Sequence, residues 1–182
     1  LGLLTVAAML PPQWKQRLVD LNTGKLTDAD LRWADYVLLS AMSIQKESAD
    51  AVIERCRQLG VKVIAGGPHF TAHAGDYGHV DHLILNEAEL TLPLFLADLV
   101  QGRQKRVYTS PLWADLSKTP LPRFDLLNMK HYASMNVQYS RGCPFDCDFC
   151  NITVLYGRVP RTKSTEQVLA ELDGIYARGW RS

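Results

Sequence analysis

The sequence lacks an excess of charge of either sign, since its 182 residues include 20 lysines and arginines against 19 aspartates and glutamates. A protein whose main partner is nucleic acid or an anionic membrane usually carries a clear positive excess, so neither partner is expected. A long hydrophobic run is also lacking, because the apolar stretch Leu1–Leu10 is far shorter than the roughly 20 residues that a membrane span needs. That stretch has no basic flank and does not resemble a signal peptide, so we expect a cytoplasmic protein without a transmembrane segment.

Cysteine is scarce, and four residues are too few for a disulfide scaffold in a chain of this size. Cys56 stands alone on the apolar stripe of a predicted helix, where we expect a core residue. The other three cysteines, Cys143, Cys147 and Cys150, fall within eight residues in the spacing C-x3-C-x2-C. Separate structural cysteines do not need this spacing, so we predict that the three thiolates bind a metal centre.

The side chains on this loop indicate which kind of metal centre it could bind. A tetrahedral zinc site takes four protein ligands, or three and a water, and the nearest histidine, His131, lies twelve residues before Cys143. Ligation by thiolates alone suits iron–sulfur chemistry, and three cysteines leave one iron of a 4Fe–4S cluster open to another ligand. A zinc site and cysteines without any metal remain the alternatives.

Strand and helix patterns alternate through residue 102, which predicts an α/β fold with a doubly wound, Rossmann-like parallel sheet. The predicted strands are Trp14–Asp20, Tyr36–Ser40, Val61–Ala65 and His82–Leu85. The predicted helices are Leu1–Leu10, about Thr27–Trp33, Ser43–Leu59 and Glu87–Val100. Ligands of such sheets lie at the carboxyl ends of the strands, so we expect the binding residues in the loops that follow them.

The character of the sequence changes after residue 102. Residues 103–134 hold three prolines and little periodicity, which indicates a connector that wraps the domain surface. A strand over Met135–Ser140, the cysteine loop and a helix over Ser164–Ala177 are predicted to follow, with Ser164 and Gln167 in a capping-box pattern. We therefore predict a first domain over 1–102, the connector over 103–134 and a second α/β element over 135–182.

The cysteine loop resembles the signature of the radical S-adenosylmethionine superfamily, in which an aromatic residue, here Phe149, precedes the last cysteine. The resemblance implies that the three cysteines hold a 4Fe–4S cluster and that S-adenosylmethionine chelates the fourth iron, with Phe149 near its adenine. Reduction of the cluster would cleave S-adenosylmethionine to a 5′-deoxyadenosyl radical, which abstracts hydrogen from a substrate. Residues 135–182 would then be the first βα unit of a partial TIM barrel.

The whole chain is similar to the subgroup of that superfamily in which a cobalamin-binding, Rossmann-like domain precedes the radical barrel. The matching segments are Arg17–Asn22, Ala34–Met42, Val63–Pro68, Leu85–Glu89, Pro120–Asp125, Gln138–Cys143 and Leu155–Arg161. Leu155–Arg161 and Gly179-Trp180 are most similar to the branch that contains the hopanoid C-2 methylase. By this comparison the first Rossmann strand and most of the barrel are missing, so both ends are expected to be cuts and the piece to be inactive.

Three loops provide the residues that we predict to contact cobalamin. They are Ser40, Ala41 and Met42, then Gly66, Gly67 and Pro68, and then Asn86, Glu87 and Glu89. The first set is small or apolar enough to admit a flat corrin, and the glycines would let the backbone approach the ligand. An ordinary tight turn, a helix cap or a solvated side chain is the alternative at each position. No G-x-G-x-x-G fingerprint is present, which argues against a nicotinamide cofactor.

The histidines depart from one cobalamin-binding pattern. Some cobalamin enzymes supply a lower histidine ligand from an Asp-x-His-x-x-Gly motif, and neither Asp76–His79 nor Asp81-His82 matches it. We therefore expect cobalamin without a histidine lower ligand, which in the family favours methyl transfer. His69, His73, His79 and His82 are expected to be surface or polar-loop residues.

The function that the resemblance implies is methyl transfer to an unactivated carbon of a small or lipid-like metabolite by a cobalamin-dependent radical enzyme. Such an enzyme would need an external one-electron reductant such as a flavodoxin or ferredoxin. Radical ring closure or rearrangement of the tetrapyrrole type, without methyl transfer, is one alternative. A non-catalytic iron–sulfur or zinc module is another, although three ligands suit an open cluster better than an electron carrier.

Overall fold

The computed structural model describes residues 1–180, so the last two residues of the predicted second element lie outside the described part. The chain forms two compact units. The first, which we call the sheet unit, is Leu26–Ala114, and the second, the cysteine unit, combines Leu1–Lys25 with Asp115–Ser182. This division differs from the predicted boundary at residue 102, because the first 25 residues belong to the same unit as the cysteine loop.

The sheet unit contains a four-stranded parallel sheet in the order β1-β2-β3-β4, which confirms the predicted fold class. The strands are β1 Tyr36–Ser40, β2 Lys62–Gly66, β3 His82–Ile84 and β4 Val107–Tyr108. The helices of the unit are α2 Asp28–Trp33, α3 Lys46–Leu59, α4 Pro68–Ala72 and α5 Ala88–Val100. The register pairs Ser40 with Gly66 and Gly66 with Ile84, so the carboxyl ends of the first three strands are level.

The core of the sheet unit forms where the apolar stripe of α3 meets the sheet. Its buried side chains include Leu31, Ile53, Cys56, Val63, Ala65, Phe70, Tyr77 and Leu83. Cys56 is fully buried there, which confirms its predicted place in the core, and burial raises the pKa of its thiol. The middle residues of β2 and most of β3 are buried, whereas every residue of β1 is only half-buried.

The helix ends follow the signals in the sequence. Thr27 caps α2 in a reciprocal capping box with Asp30, and Gly60 ends α3 in the left-handed conformation at φ 70°. The first three residues of the predicted Ser43–Leu59 helix form a 3-10 turn instead of an α-helix. Among the described residues no helix is both long and apolar enough to cross a membrane.

Two predictions for this region are wrong. Trp14–Asp20 forms no strand, and it belongs to the cysteine unit instead of the unit that contains the parallel sheet. The predicted connector, in turn, contains the strand β4, in which Val107 pairs with Leu83. A strand of two residues is too short to show an alternating pattern in the sequence. Packing and the hydrogen bond from the Tyr108 hydroxyl to Asp98 stabilise β4.

The cysteine unit is built from short elements around a small core. Its helices are α1 Gly2–Met9, α6 Ile152–Tyr156 and α7 Thr165–Ala177, and its strands are β5 Ser140–Arg141 and β6 Arg161–Thr162. Leu4 of α1, Phe124 and Ile175 of α7 form the buried cluster. Ser164 caps α7 with Gln167 in the predicted capping box.

The predicted strand Met135–Ser140 is wrong except for its last residue. Ser140 and Arg141 form β5, which pairs antiparallel with β6 on the far side of the cysteine loop. The alternating pattern of the segment resembles a strand, but Met135 and Val137 pack instead against the core around Leu4. Tertiary packing has therefore overridden the local pattern.

We predict that Gly66→Ala destabilises the protein by about 1–3 kcal/mol, the usual range for overpacking a core site. A Cβ atom at this position would lie 2.6 Å from the Ile84 carbonyl oxygen of the neighbouring strand, and backbone cannot move aside as a side chain can. Denaturant unfolding followed by circular dichroism measures the change. Gly78→Ala is the matched control, because its Cβ would meet nothing within 4 Å and its φ is −59°. Equal unfolding midpoints for the two variants would contradict the prediction.

Candidate cofactor-binding site

The loops after β1 and β2 meet at the carboxyl edge of the sheet. The backbone N–H of His69 donates to the Ala41 carbonyl oxygen at 3.1 Å, which joins the start of α4 to the end of β1. Gly67 lies against Ser40, since a Cβ built on Gly67 would come 2.4 Å from the Ser40 hydroxyl oxygen. The structure therefore brings together five of the predicted contact positions, Ser40, Ala41, Gly66, Gly67 and Pro68.

Gly66 and Gly67 are required by the protein's own packing. Gly66 has no room for a side chain because of the Ile84 carbonyl, and Gly67 has φ 86° and lies against Ser40. Both constraints arise inside the sheet unit without any ligand. The ordinary tight turn, the alternative to close approach of a ligand, is thus enough to explain both glycines.

The loop after β1 presents an exposed apolar surface. Met42 is 55% exposed and Ile44 is 95% exposed, although both follow directly from a half-buried strand. The Met42 backbone N–H donates to the Gln45 side chain at 2.9 Å, which holds the turn in shape. This surface is suited to the face of a large flat ligand, because covering exposed apolar side chains releases free energy.

Asn86 connects three elements at the end of β3. Its backbone N–H donates to the Thr71 hydroxyl at 3.0 Å, and its side-chain oxygen accepts from the Thr109 hydroxyl at 2.6 Å. Asn86 has φ 62°, the single positive value at a non-glycine position among residues 1–180. Asparagine tolerates this conformation better than most residues, so Asn86 shapes the loop between β3 and α5.

The two predicted acidic contacts lie in different environments. Glu87 is only 2% exposed, and its carboxylate accepts from the backbone N–H of Ala114 at 2.7 Å. This bond joins the start of α5 to the segment after β4, which is a structural role. Glu89 lies half-buried in the first turn of α5, where a negative charge is favourable to the helix dipole.

His69 is the residue that sequence reasoning missed. It was expected at the surface or in a polar loop, but it is 1% exposed and its Nε2 atom lies 2.6 Å from the Tyr77 hydroxyl oxygen. His73 and His79 are exposed as expected, and His82 is half-buried with its Nδ1 atom 2.8 Å from the Lys105 carbonyl oxygen. No local pattern distinguishes His69 from the others, because its burial depends on the packing of α4 against Tyr77 and the end of β1.

A chain of hydrogen bonds links the buried His69 to the protein surface. The Tyr77 hydroxyl donates to Asp50 at 2.9 Å, and Asp50 in turn accepts from Lys46. Burial raises the pKa of Tyr77 to about 12, with the Asp50 carboxylate adding to the effect. Burial opposes ionisation of Asp50, but the hydrogen bonds from Lys46 and Tyr77 lower the pKa of this carboxyl below its usual value. Burial also lowers the pKa of His69, which favours its neutral form.

The three cysteines of the predicted cluster share one loop but are not drawn together. Cys143 and Cys150 are half-buried, Cys147 is exposed, and all three are free thiols. Within the part of the chain that the structure describes, no group of three metal-ligating side chains has the geometry to hold a metal ion. The start of the loop is nevertheless tied down, since the N–H of Cys143 donates to the Gly157 carbonyl, and a local turn bonds the N–H of Cys150 to the Cys147 carbonyl.

The surroundings of the cysteine loop are specific. Gly142 has φ 91°, and a Cβ atom there would lie 2.4 Å from the Val159 carbonyl oxygen, so only glycine fits before Cys143. Phe149 is 94% exposed beside the last cysteine, which leaves its ring free to contact a ligand. Behind the loop, Lys163 and Glu171 form an ion pair in which both side chains are buried.

The parallel sheet, with its loops gathered at the carboxyl edge, defines the sheet unit as a Rossmann-like ligand-binding domain. Residues 1–96 match the B12 binding domain family, and the chain belongs to that family. The match includes all the predicted contact positions from Ser40 to Glu89.

The similar proteins include several methyltransferases. An uncharacterized methyltransferase of Synechocystis is 45% identical over all of this chain and 34% of its own length. The hopanoid C-2 methylase of Rhodopseudomonas palustris is 35% identical over 99% of this chain and 35% of its own length. The bacteriochlorophyllide d C-12(1)-methyltransferase of Chlorobaculum tepidum is 25% identical, covering 94% of this chain and 39% of its own length. The chain therefore spans between a third and two fifths of the length of these three relatives.

We predict that Glu87→Ala destabilises the sheet unit by about 1–3 kcal/mol, because it leaves the buried N–H of Ala114 without this acceptor. Glu87→Gln is the matched control, since its amide oxygen can still accept from Ala114, and it is expected to recover most of the loss. Thermal or denaturant unfolding measures both variants. A Glu87→Ala protein as stable as the wild type would show that the bond to Ala114 contributes nothing.

Proposed function

We propose that this chain forms the cobalamin-binding and cluster-binding parts of a radical S-adenosylmethionine methyltransferase. The observation that carries the proposal is the match of residues 1–96 to the B12 binding domain family, followed by the C-x3-C-x2-C loop. The relatives named as methyltransferases support methylation over ring closure. Its substrate is proposed to be a small or lipid-like metabolite.

The carboxyl edge of the sheet unit suits cobalamin. The corrin ring is broad, flat and largely apolar on its faces, and the loop after β1 offers the exposed side chains of Met42 and Ile44. The polar rim of the ring carries amide groups, which can bond with half-buried residues around the edge such as Ser40 and Glu89. In this proposal cobalamin supplies the methyl group, and the chain's own residues hold the ring and exclude water from its covered face.

The donor set of the cysteine loop suits a 4Fe–4S cluster. Three free thiols within eight residues are the soft ligands that iron–sulfur centres prefer, and the tied start and short length of the loop limit how far they can separate. The cluster supplies one-electron chemistry when bound. Cys143, Cys147 and Cys150 would hold it, and Phe149 is exposed beside them for an aromatic contact with the adenine of S-adenosylmethionine.

The thiols must move together for this role, because they are not arranged around a common centre. Metal binding commonly supplies the free energy that orders such a loop. Glycine at position 142 allows the chain to turn sharply into the first cysteine, and the short β5–β6 pair closes the loop at its base. We also propose that a one-electron reductant such as a flavodoxin or ferredoxin reduces the cluster, and that the protein is cytoplasmic.

We predict that the longest natural chain containing this sequence binds hydroxocobalamin and that Met42→Asp weakens binding about tenfold or more. A charge on this apolar surface would have to lose water beneath the ring. Gel filtration with detection of corrin absorbance, followed by titration, measures both effects. Val100→Asp is the matched control, because Val100 is 89% exposed at the far end of α5. Absence of corrin binding by the wild type would overturn the cobalamin assignment.

We predict that Cys147→Ala abolishes the iron–sulfur cluster after anaerobic reconstitution, since two thiolates cannot retain it. Iron content and the electron paramagnetic resonance spectrum of the reduced protein measure the loss. Cys56→Ala is the control, because this cysteine lies in the core of the sheet unit and should leave iron content unchanged. If S-adenosylmethionine leaves the wild-type spectrum unaltered, the proposed open iron is wrong.

A further inference from the structure

Only one of the two nitrogen atoms of the His69 imidazole makes a hydrogen bond within the described residues. Its Nε2 atom is hydrogen-bonded to Tyr77, while its Nδ1 atom is buried and has no hydrogen-bond partner among residues 1–180. A buried polar atom without a partner is unfavourable, so each such atom in a folded protein calls for an explanation. The position is adjacent to Gly66, Gly67 and Pro68, at the edge where the proposed cofactor binds.

The hydrogen-bond chain determines which nitrogen carries the proton. A phenol has one proton, and the Tyr77 hydroxyl donates it to Asp50, whose ionised carboxylate can only accept. The Tyr77 oxygen must therefore accept from His69, which places the imidazole proton on Nε2. The neutral ring then presents a bare lone pair at Nδ1. Lys46 secures the ionised form of Asp50 at the other end of the chain.

The backbone of His69 lies at the carboxyl edge of the sheet. His69 donates its backbone N–H to Ala41, at the end of β1, and it lies in the first turn of α4. Phe70 and Tyr77 are buried rings at 5.3 and 5.4 Å from the imidazole, and they hold it in place. The third neighbouring ring, His73, is exposed and 5.0 Å away. Because Nδ1 is itself buried, the contact inferred below requires the exposed His73 side chain to move aside.

We propose that His69 is a positioning residue for cobalamin, with Nδ1 accepting a hydrogen bond from an N–H or O–H donor of the cofactor. The inference rests on the proposed function and assigns no bond between His69 and cobalt. Cobalamin has two sources of such donors, the amide groups on the corrin rim and the hydroxyl groups of its nucleotide loop. The chain from Lys46 to Tyr77 serves to keep the acceptor nitrogen unprotonated.

Nitrogen-15 NMR on the longest natural chain containing this sequence, labelled at histidine, tests the inference directly. The free protein is expected to show an unprotonated Nδ1 and a protonated Nε2 at His69. Hydroxocobalamin should then shift the Nδ1 signal in the direction that hydrogen-bond acceptance produces. Cobinamide, which lacks the nucleotide loop, should cause the same shift if the donor is a corrin amide and no shift if it is a nucleotide hydroxyl.

Binding by variants supplies a second readout. His69→Phe removes the acceptor and should weaken hydroxocobalamin binding about tenfold, whereas His69→Asn, whose amide oxygen lies near the position of Nδ1, should remain within about threefold of wild type. Tyr77→Phe should leave His69 as a mixture of the two neutral forms. His131→Phe, at an exposed histidine of the cysteine unit, is the matched control and should bind as the wild type does.

The outcomes separate this inference from the proposed function. If the wild type binds hydroxocobalamin but the Nδ1 signal does not move, a buried water satisfies His69 and the inference is wrong while the cofactor assignment stands. If the wild type binds no corrin at all, both are wrong. Should His69→Phe fail to fold, the spectra of the wild-type protein still decide the question.

Discussion

At the end of β2, a methyl group added to Gly66 would lie 2.6 Å from the carbonyl oxygen of Ile84, and one added to Gly67 would lie 2.4 Å from the Ser40 hydroxyl. The two neighbouring strands therefore approach the end of β2 from both sides as closely as glycine permits. This close approach keeps the three strand ends level, so that the loops after them start from one line. The arrangement of the candidate site depends on it, because each loop inherits its position from the strand before it.

The three loops that follow β1, β2 and β3 have different roles. The loop after β1 leaves apolar side chains in solvent, the loop after β2 turns at once into α4, and the loop after β3 is held by Asn86 and Glu87. Two of the predicted polar contacts thus serve the protein itself, since Asn86 joins α4 to the segment after β4 and Glu87 bonds to Ala114. A binding site selects its ligand better when its loops are rigid. Polar residues that hold the loops in place therefore contribute to binding without contacting the ligand.

The parts of this structure that sequence could predict are those with a local cause. Continuous apolar runs identified β1, β2 and β3, a Thr27–Asp30 pair and a Ser164–Gln167 pair marked helix starts, and Gly60 marked a helix end. The failures have non-local causes. The strand β4 forms because it can pair with β3. Most of Met135–Ser140 forms no strand because its apolar residues pack in the core of the cysteine unit. His69 was misjudged for the same reason, since its partners Tyr77 and Asp50 are assembled only by the fold.

The two candidate sites differ in how much the protein prepares in advance. At the sheet edge, glycine packing sets the backbone, and a hydrogen-bond chain from His69 to the surface sets the protonation of one imidazole before any ligand arrives. On the cysteine loop, the start is anchored by Gly157 and by β5–β6, yet the thiols are left apart. Three thiolates held close together without a metal would repel one another, whereas amide and apolar contacts carry no such penalty. The sheet edge therefore has its backbone in place before a ligand binds, whereas the cysteine loop would complete its site only on binding a cluster.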